Sequence, residues 1–226
     1  MVKRKRVDSS PLGDRGEAHF DTVNIIDPNG DLNMIFSDNQ IPSKKKMVVS
    51  RHVLCLSSKV FEAMLGDHSH FREATAPIIS RDGVREAKFE DDDFDAMTII
   101  MNVLHLQHQN VPKQMVFDQL HKIAILCDKY DLTRSMGLWP DTWAQQHVKQ
   151  VGKKGFHGWL LIATVFRQGE AFTKMTKHII LNSTLNPDGD LLTAEGWTFD
   201  EGVPSTIISI LARMQDVEAL DLTFLR

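Results

Sequence analysis

The chain has 226 residues, enough for one sizeable domain with an extension or for two small domains. Its 42% hydrophobic and 25% charged residues are ordinary for a soluble globular protein, and a formal charge of −4 supplies no global basic field to attract nucleic acid or an anionic membrane. Cys55 and Cys127 are the two cysteines, both beside apolar neighbours, which excludes a disulfide framework and a cysteine-built zinc site.

Residues 1–19 are polar, carry Pro and Gly, and show no apolar period, so a disordered tail is expected there. Lys3, Arg4, Lys5 and Arg6 form a run of four cations that reads either as a short nuclear-import signal or as a solubilising tail. No apolar core follows the run, so it is not read as a secretory signal. The longest apolar stretch, "WLLIATVF", is roughly half of what a membrane-spanning helix needs. The expectation is a soluble intracellular protein, nuclear or cytoplasmic, without membrane or nucleic-acid partners.

In "DTVNIIDPNGDLNMIFSD" two β-rich runs flank Asp27-Pro28-Asn29-Gly30, which predicts a hairpin with Gly30 at positive φ. The polar "DNQIPSKKK" reads as a loop, followed by a third strand at Met47–Val49. Next comes "VVSRHVLCLSSKVFEAML". Ser50 is placed to cap a short helix, Ser58 to cap a second, and Val60, Phe61, Met64 and Leu65 to form one face of that second helix. A short strand ends at Phe89, and the four carboxylates from Glu90 to Asp93 suit a helix N-terminus, where the backbone dipole favours negative charge. Phe94, Met97, Met101 and Leu104 continue as an apolar stripe. After the break "QHQNVPKQ", Val116, Leu120, Ile123, Cys127 and Tyr130 recur at spacings of 4, 3, 4 and 3, predicting an amphipathic helix. Beyond Trp139-Pro140 the chain reads as helical throughout, with Pro204 opening the last helix.

Reactive residue types crowd the opening of the helical hairpin, where His52 and Cys55 share a helical face. Activation of that thiol needs an orienting partner, a pair of oxyanion donors and an exposed site, and Leu54 and Leu56 flank the cysteine instead. The serines already have caps to make. Of the ten histidines, His68/His70 and His105/His108 are closely spaced, but none has a cysteine neighbour or a His-Glu-x-x-His pattern. "TLNPDGDLLTAE" imitates a calcium loop, with Asn186, Asp188, Gly189 and Glu195 at positions 3, 5, 6 and 12, but Thr184 stands where the first carboxylate belongs. A turn between helices is the simpler reading of Asn186–Gly189. No catalytic residue, metal ligand or cofactor site is assigned.

The hairpin segment resembles the signature of the BTB/POZ domain, a strand followed by Val-Leu and then Ser-x-x-Phe. Val53-Leu54 and Ser58 with Phe61 are the matching residues. "GDLNMIF" is similar to the family's first sheet strand, and "FEDDDFDAMTIIMNVLHLQ" and "LHKIAILCDKYDLTRSMGLW" to its acidic-capped helix and "DKY" helix. Many animal members carry His where this chain has Ser50, while members from filamentous fungi often have Val-Ser, as in Val49-Ser50. The resemblance covers residues 20–140. It implies an α+β fold, a small β-sheet clasped by α-helical hairpins, followed at 141–226 by an all-helical extension. Val53, Leu54, Ser58, Val60, Phe61, Met64 and Leu65 are then fold signature and core.

Functionally the resemblance implies a non-catalytic protein–protein interaction module with protein partners, self-associating or forming hetero-oligomers. The alternative is a substrate adaptor of a cullin-type ubiquitin ligase, with a cullin scaffold as partner. Adaptors often carry a hydrophobic-x-Glu motif after the acidic-capped helix, and "HLQHQNVP" has no Glu. The helix bearing Val116, Leu120, Ile123 and Tyr130 is the candidate partner-binding element. A nuclear regulatory factor relying on Lys3–Arg6 is the second alternative.

Overall fold

The computed structural model describes residues 20–37, 44–67, 78–79, 83–186, 191–192, 206 and 208–214. They build a mixed α+β fold, one small sheet with helices packed against it. The strands β1 (Thr22–Ile25), β2 (Leu32–Ser37), β3 (Lys44–Val49), β4 (Ile78–Ile79) and β5 (Arg85–Lys88) form a five-stranded sheet in the order β1-β3-β2-β5-β4. Leu32, Met34 and Phe36 on β2 alternate into the core, opposite Val49, Met47 and Lys45 on β3. Lys45 joins this face through its stem, its ammonium 5.0 Å from the Phe94 ring centre.

The predicted hairpin between β1 and β2 does not form. The turn itself does, since the Asp27 side chain accepts the Asn29 N–H at 2.9 Å and the Asp27 carbonyl accepts that of Gly30 at 3.0 Å. It carries the chain over the end of β3, however, so that β3 lies between β1 (parallel) and β2 (antiparallel). Gly30 serves by lacking a Cβ, which would lie 2.6 Å from the Val49 carbonyl oxygen, and not by a positive φ. β3 is also longer than expected: Lys44 to Lys46, read as loop, pair in register with Ser37 to Ile35.

Helices α1 (Arg51–Ser57) and α2 (Lys59–Leu65) follow as the expected capped pair. Leu54, Phe61 and Leu65 are buried, and Val53 and Met64 pack half-buried at the edge of the core. Val60, expected in the core, is 37% exposed. Phe61 and Leu65, four residues apart, define the inward stripe of this short helix, and Val60 is rotated about 100° away from it.

Asp93 caps α3 (Phe94–Leu104), its carboxylate accepting the Ala96 N–H at 2.8 Å. Met97, Met101 and Leu104 are buried as predicted, but so are Ala96, Ile100 and Val103, because α3 is enclosed on more than one side. α4 (Phe117–Lys129) buries Leu120, Ile123 and Cys127. Val116, taken from sequence as the head of that stripe, is the extended N-cap residue and 71% exposed.

The C-terminal part contains α5 (Trp139–His147), α6 (Trp159–Val165) and α7 (Gly169–Asn182). It is not all-helical: β6 (Thr184–Leu185) pairs antiparallel with β7 (Leu191–Leu192). Pro187 to Gly189 of the expected turn, and Glu195 of the calcium-loop imitation, lie outside the described residues. α6 is buried over most of its length and packs on α4, where Gly158 lets the backbone approach His121; a Cβ there would lie 2.8 Å from the ring. Buried residues from Ile26 to Leu211 form one contiguous cluster that runs across residue 140. Residues 1–19, with Lys3–Arg6, and Pro204 lie outside the described residues.

Truncating Phe61 to alanine should cost about 3–5 kcal/mol of folding stability, whereas Val60→Ala should stay within about 0.5 kcal/mol. Urea unfolding of both variants checks the inward and outward assignments.

Candidate interaction surface

The crowded reactive residues of the hairpin are occupied by structural tasks. Ser50 Oγ accepts the Val53 N–H at 3.5 Å, and Ser58 Oγ accepts those of Val60 and Phe61 at 3.1 Å each. His52 is exposed, and the Cys55 thiol lies 3.8 Å from the Phe61 carbonyl. Burial raises the Cys55 pKa above its ordinary value despite the nearby Arg51, and burial raises that of Cys127 much further. His105 and His108 point to different partners. His105 Nε2 accepts the Ser50 N–H at 3.0 Å while Nδ1 donates to the Met101 carbonyl at 2.9 Å, which fixes a neutral tautomer. Among the described residues no group of three or more His, Cys, Asp or Glu is arranged to hold a metal ion, and no helix is long and apolar enough to cross a membrane.

A buried polar network holds the helices in register. Besides capping α2, Ser58 Oγ donates to the Tyr130 carbonyl at 2.5 Å, at the C-terminal end of α4. The Tyr130 hydroxyl donates to Asp92 Oδ2 at 2.5 Å, and Lys129 Nζ donates to Asp92 Oδ1 at 2.6 Å. The Asp92 side chain is only 2% exposed, so both of its oxygens are satisfied within the protein. Burial, and then the bond to Asp92, raise the Tyr130 pKa far above its ordinary value. The Tyr130 ring stacks on Phe61 at 4.7 Å. Two turns earlier on the same face of α4, Lys122 bridges Asp118 and Asp93 at 3.1 and 3.2 Å. The acidic run from Glu90 is therefore a helix start clamped by two lysines, not a free anionic patch.

This packing changes what α4 can offer a partner. Leu120, Ile123 and Tyr130, proposed from sequence as partner-binding, are buried at 0–5% exposure and unavailable. The periodicity that marks a helix face cannot say whether that face meets the protein's own core or another chain. Among the exposed large apolar residues, the three most exposed are leucines in turns and at a helix end: Leu56 at 80%, Leu106 at 74% and Leu138 at 79% exposure.

Side-chain bonds tie the elements carrying these three leucines together. The α1 start meets the α3 end through Ser50 and His105, and the Ser135 hydroxyl donates to the Ser57 carbonyl at 2.6 Å. The His108 ring lies 6.1 Å from Trp139, which stacks on the buried Trp143 at 5.6 Å. Trp143 Nε1 in turn donates to the Pro112 carbonyl at 2.8 Å. The His108–Trp139 contact thus links the segments that carry Leu106 and Leu138, with Leu106 at a φ of 59°. Sequence periodicity missed all three leucines, since none sits on an inward helical stripe. An apolar residue inside the polar stretch "HLQHQN" was the one available signal.

No protein-family model matches the chain, and no curated protein is significantly similar to it.

Tyr130→Phe should cost about 1–3 kcal/mol by leaving Asp92 with one partner. Asp92→Ala should cost at least as much, and the double variant less than the sum, which a double-mutant cycle measures. His105 provides a pH signature. Burial lowers its pKa in the folded state from the ordinary 6.5, so the unfolded chain binds the proton first as pH falls. Its contribution is complete above that value and is lost as pH drops through the folded pKa. Urea midpoints should therefore fall less steeply on acidification for His105→Gln than for the parent chain.

Proposed function

We propose that this chain is a non-catalytic protein–protein interaction module of the BTB/POZ type, acting as a scaffold that associates with itself or with other proteins. The observation that carries the functional reading is the set of exposed leucines, Leu56, Leu106 and Leu138, borne by turns and helix ends that hydrogen bonds and ring contacts hold in place. Single exposed leucines are ordinary on a soluble protein, but several on linked elements suit an interface.

The BTB/POZ part of the reading is supported by the order of elements. A sheet strand leads into a serine-capped helix and a second serine-capped helix carrying Ser-x-x-Phe, then a short strand and an acidic-capped helix. Ser58 of the signature bonds to Tyr130 of the "DKY" motif, so two motifs noticed separately in the sequence meet in space. The caps and the raised thiol pKa values also favour a scaffold over a nucleophilic enzyme.

A cullin-adaptor role is the second reading, favoured by Leu106. It is an exposed apolar residue in the loop after the acidic-capped helix, where adaptors carry their hydrophobic contact, though the Glu that often follows is absent. The nuclear-factor reading rests on Lys3–Arg6, outside the described residues.

The test is affinity purification of the tagged chain from its own cells, with and without Leu106→Asp and Leu138→Asp. Burying one leucine contributes about 1.5–3 kcal/mol, so the double variant should weaken association through this surface by roughly two orders of magnitude or more. A cullin lost with the double variant selects the adaptor reading, and self-association lost with it selects the scaffold. Partner capture unchanged by the double variant would refute the surface.

A further inference from the structure

Residues 147–178 carry Lys149, Lys153, Lys154, Arg167, Lys174 and Lys177 against a single carboxylate, Glu170, in a chain of net charge −4. The fold concentrates this charge. Gly152 and Gly155, with φ of 76° and 80°, bracket Lys153-Lys154 in a turn that only left-handed glycines make easily. That turn is anchored on both sides. A Cβ on Gly152 would lie 3.4 Å from the His178 side chain on α7, and Phe156 packs edge-on against Phe117 at 4.9 Å. The Lys153 N–H donates to the Gln150 carbonyl and the Phe156 N–H to the Lys153 carbonyl.

The turn therefore sits beside the face of α7 on which Lys174, His178 and Leu181 succeed one another at helical spacing. Lys149, Lys153, Lys174 and Lys177 are exposed and form no ion pair among the described residues, in contrast to Lys122 and Lys129 on α4. Two apolar residues border the cations, Val148 at 43% and Leu181 at 60% exposure.

We propose that this basic face docks an acidic segment of a partner protein, one carrying an apolar residue beside its carboxylates. Lys153 on the anchored turn, with Lys149, Lys174 and Lys177 and the exposed Val148 and Leu181, complements such a segment in both charge and hydrophobicity. A nucleic-acid backbone makes no use of the two apolar residues. None of the segment's aromatic residues, Phe156, Trp159, Phe166 and Phe172, is exposed for bases to stack upon. An anionic bilayer would have to attract a chain whose overall charge is also negative. The proposal does not depend on the BTB/POZ reading or on the leucine surface.

The experiment measures binding of the full chain to a fluorescent Asp/Glu-rich peptide containing leucine, to phosphatidylserine vesicles and to a DNA duplex. Lys149→Glu with Lys153→Glu, and separately Lys174→Glu, are compared with Lys59→Glu, an exposed lysine on α2. The expected result is peptide binding that falls with salt, weakens at least about tenfold in the first two variants and is unchanged in the third. Circular dichroism of each variant confirms that the fold is retained. Absence of peptide binding by the parent chain, or equal weakening by Lys59→Glu, overturns the proposal. So does tighter binding to vesicles or DNA that the same substitutions abolish.

Discussion

The hydroxyl of Ser58 is the point on which the helical arrangement turns. One oxygen satisfies two N–H groups at the start of α2 and donates its own proton to the carbonyl at the end of α4. Each of those backbone groups is left over at a helix terminus and is costly to bury without a partner. By joining them, a 4%-exposed serine fixes the approach of two helices that are far apart in sequence. Tyr130 extends the constraint, with its ring on Phe61 and its hydroxyl on the buried carboxylate of Asp92. The start of α3, the start of α2 and the end of α4 are thereby held in one cluster with its polar atoms paired.

α4 is consequently a central element and not a free face. On one side it meets this network, and on the other it receives the C-terminal helices through Phe117, Trp159 and the close passage of Gly158. α5 is fixed to the loop before α4 by Trp143 on the Pro112 carbonyl and by Gln146, which accepts the Met115 N–H and donates to the Lys113 carbonyl. The surface chemistry appears at the margins of this core. The exposed leucines occupy turns and helix ends, and the lysines occupy a glycine-bracketed turn. This division follows from the core, because residues engaged in a continuous buried cluster cannot also face a partner.

Much of the local structure was legible in the sequence. Ser50, Ser58 and Asp93 act as the caps their positions suggest, Leu54, Phe61, Leu65, Leu120, Ile123 and Cys127 are buried, and the turn at Asp27–Gly30 forms. These features depend on periodicity and on bonds between residues a few positions apart, so the chain carries them in its order. The readings that failed were of another kind. Val60 lies one residue from an inward position on a helix too short to bury a second stripe, and Val116 belongs to the cap and not to the helix.

Sequence by itself thus determined where α1, α2 and α3 begin, most of the residues they bury, and the mixed α+β character. Tertiary structure decided which strands are neighbours. β3 enters between β1 and β2 because Gly30 lets the connecting chain pass its end, a non-local contact that no turn motif encodes. It also decided that the apolar face of α4 is spent on the core, and that Leu56, Leu106 and Leu138 are left exposed. Apolar periodicity records only that a face leaves water, and the identity of what covers it is set by contacts between residues distant in the chain.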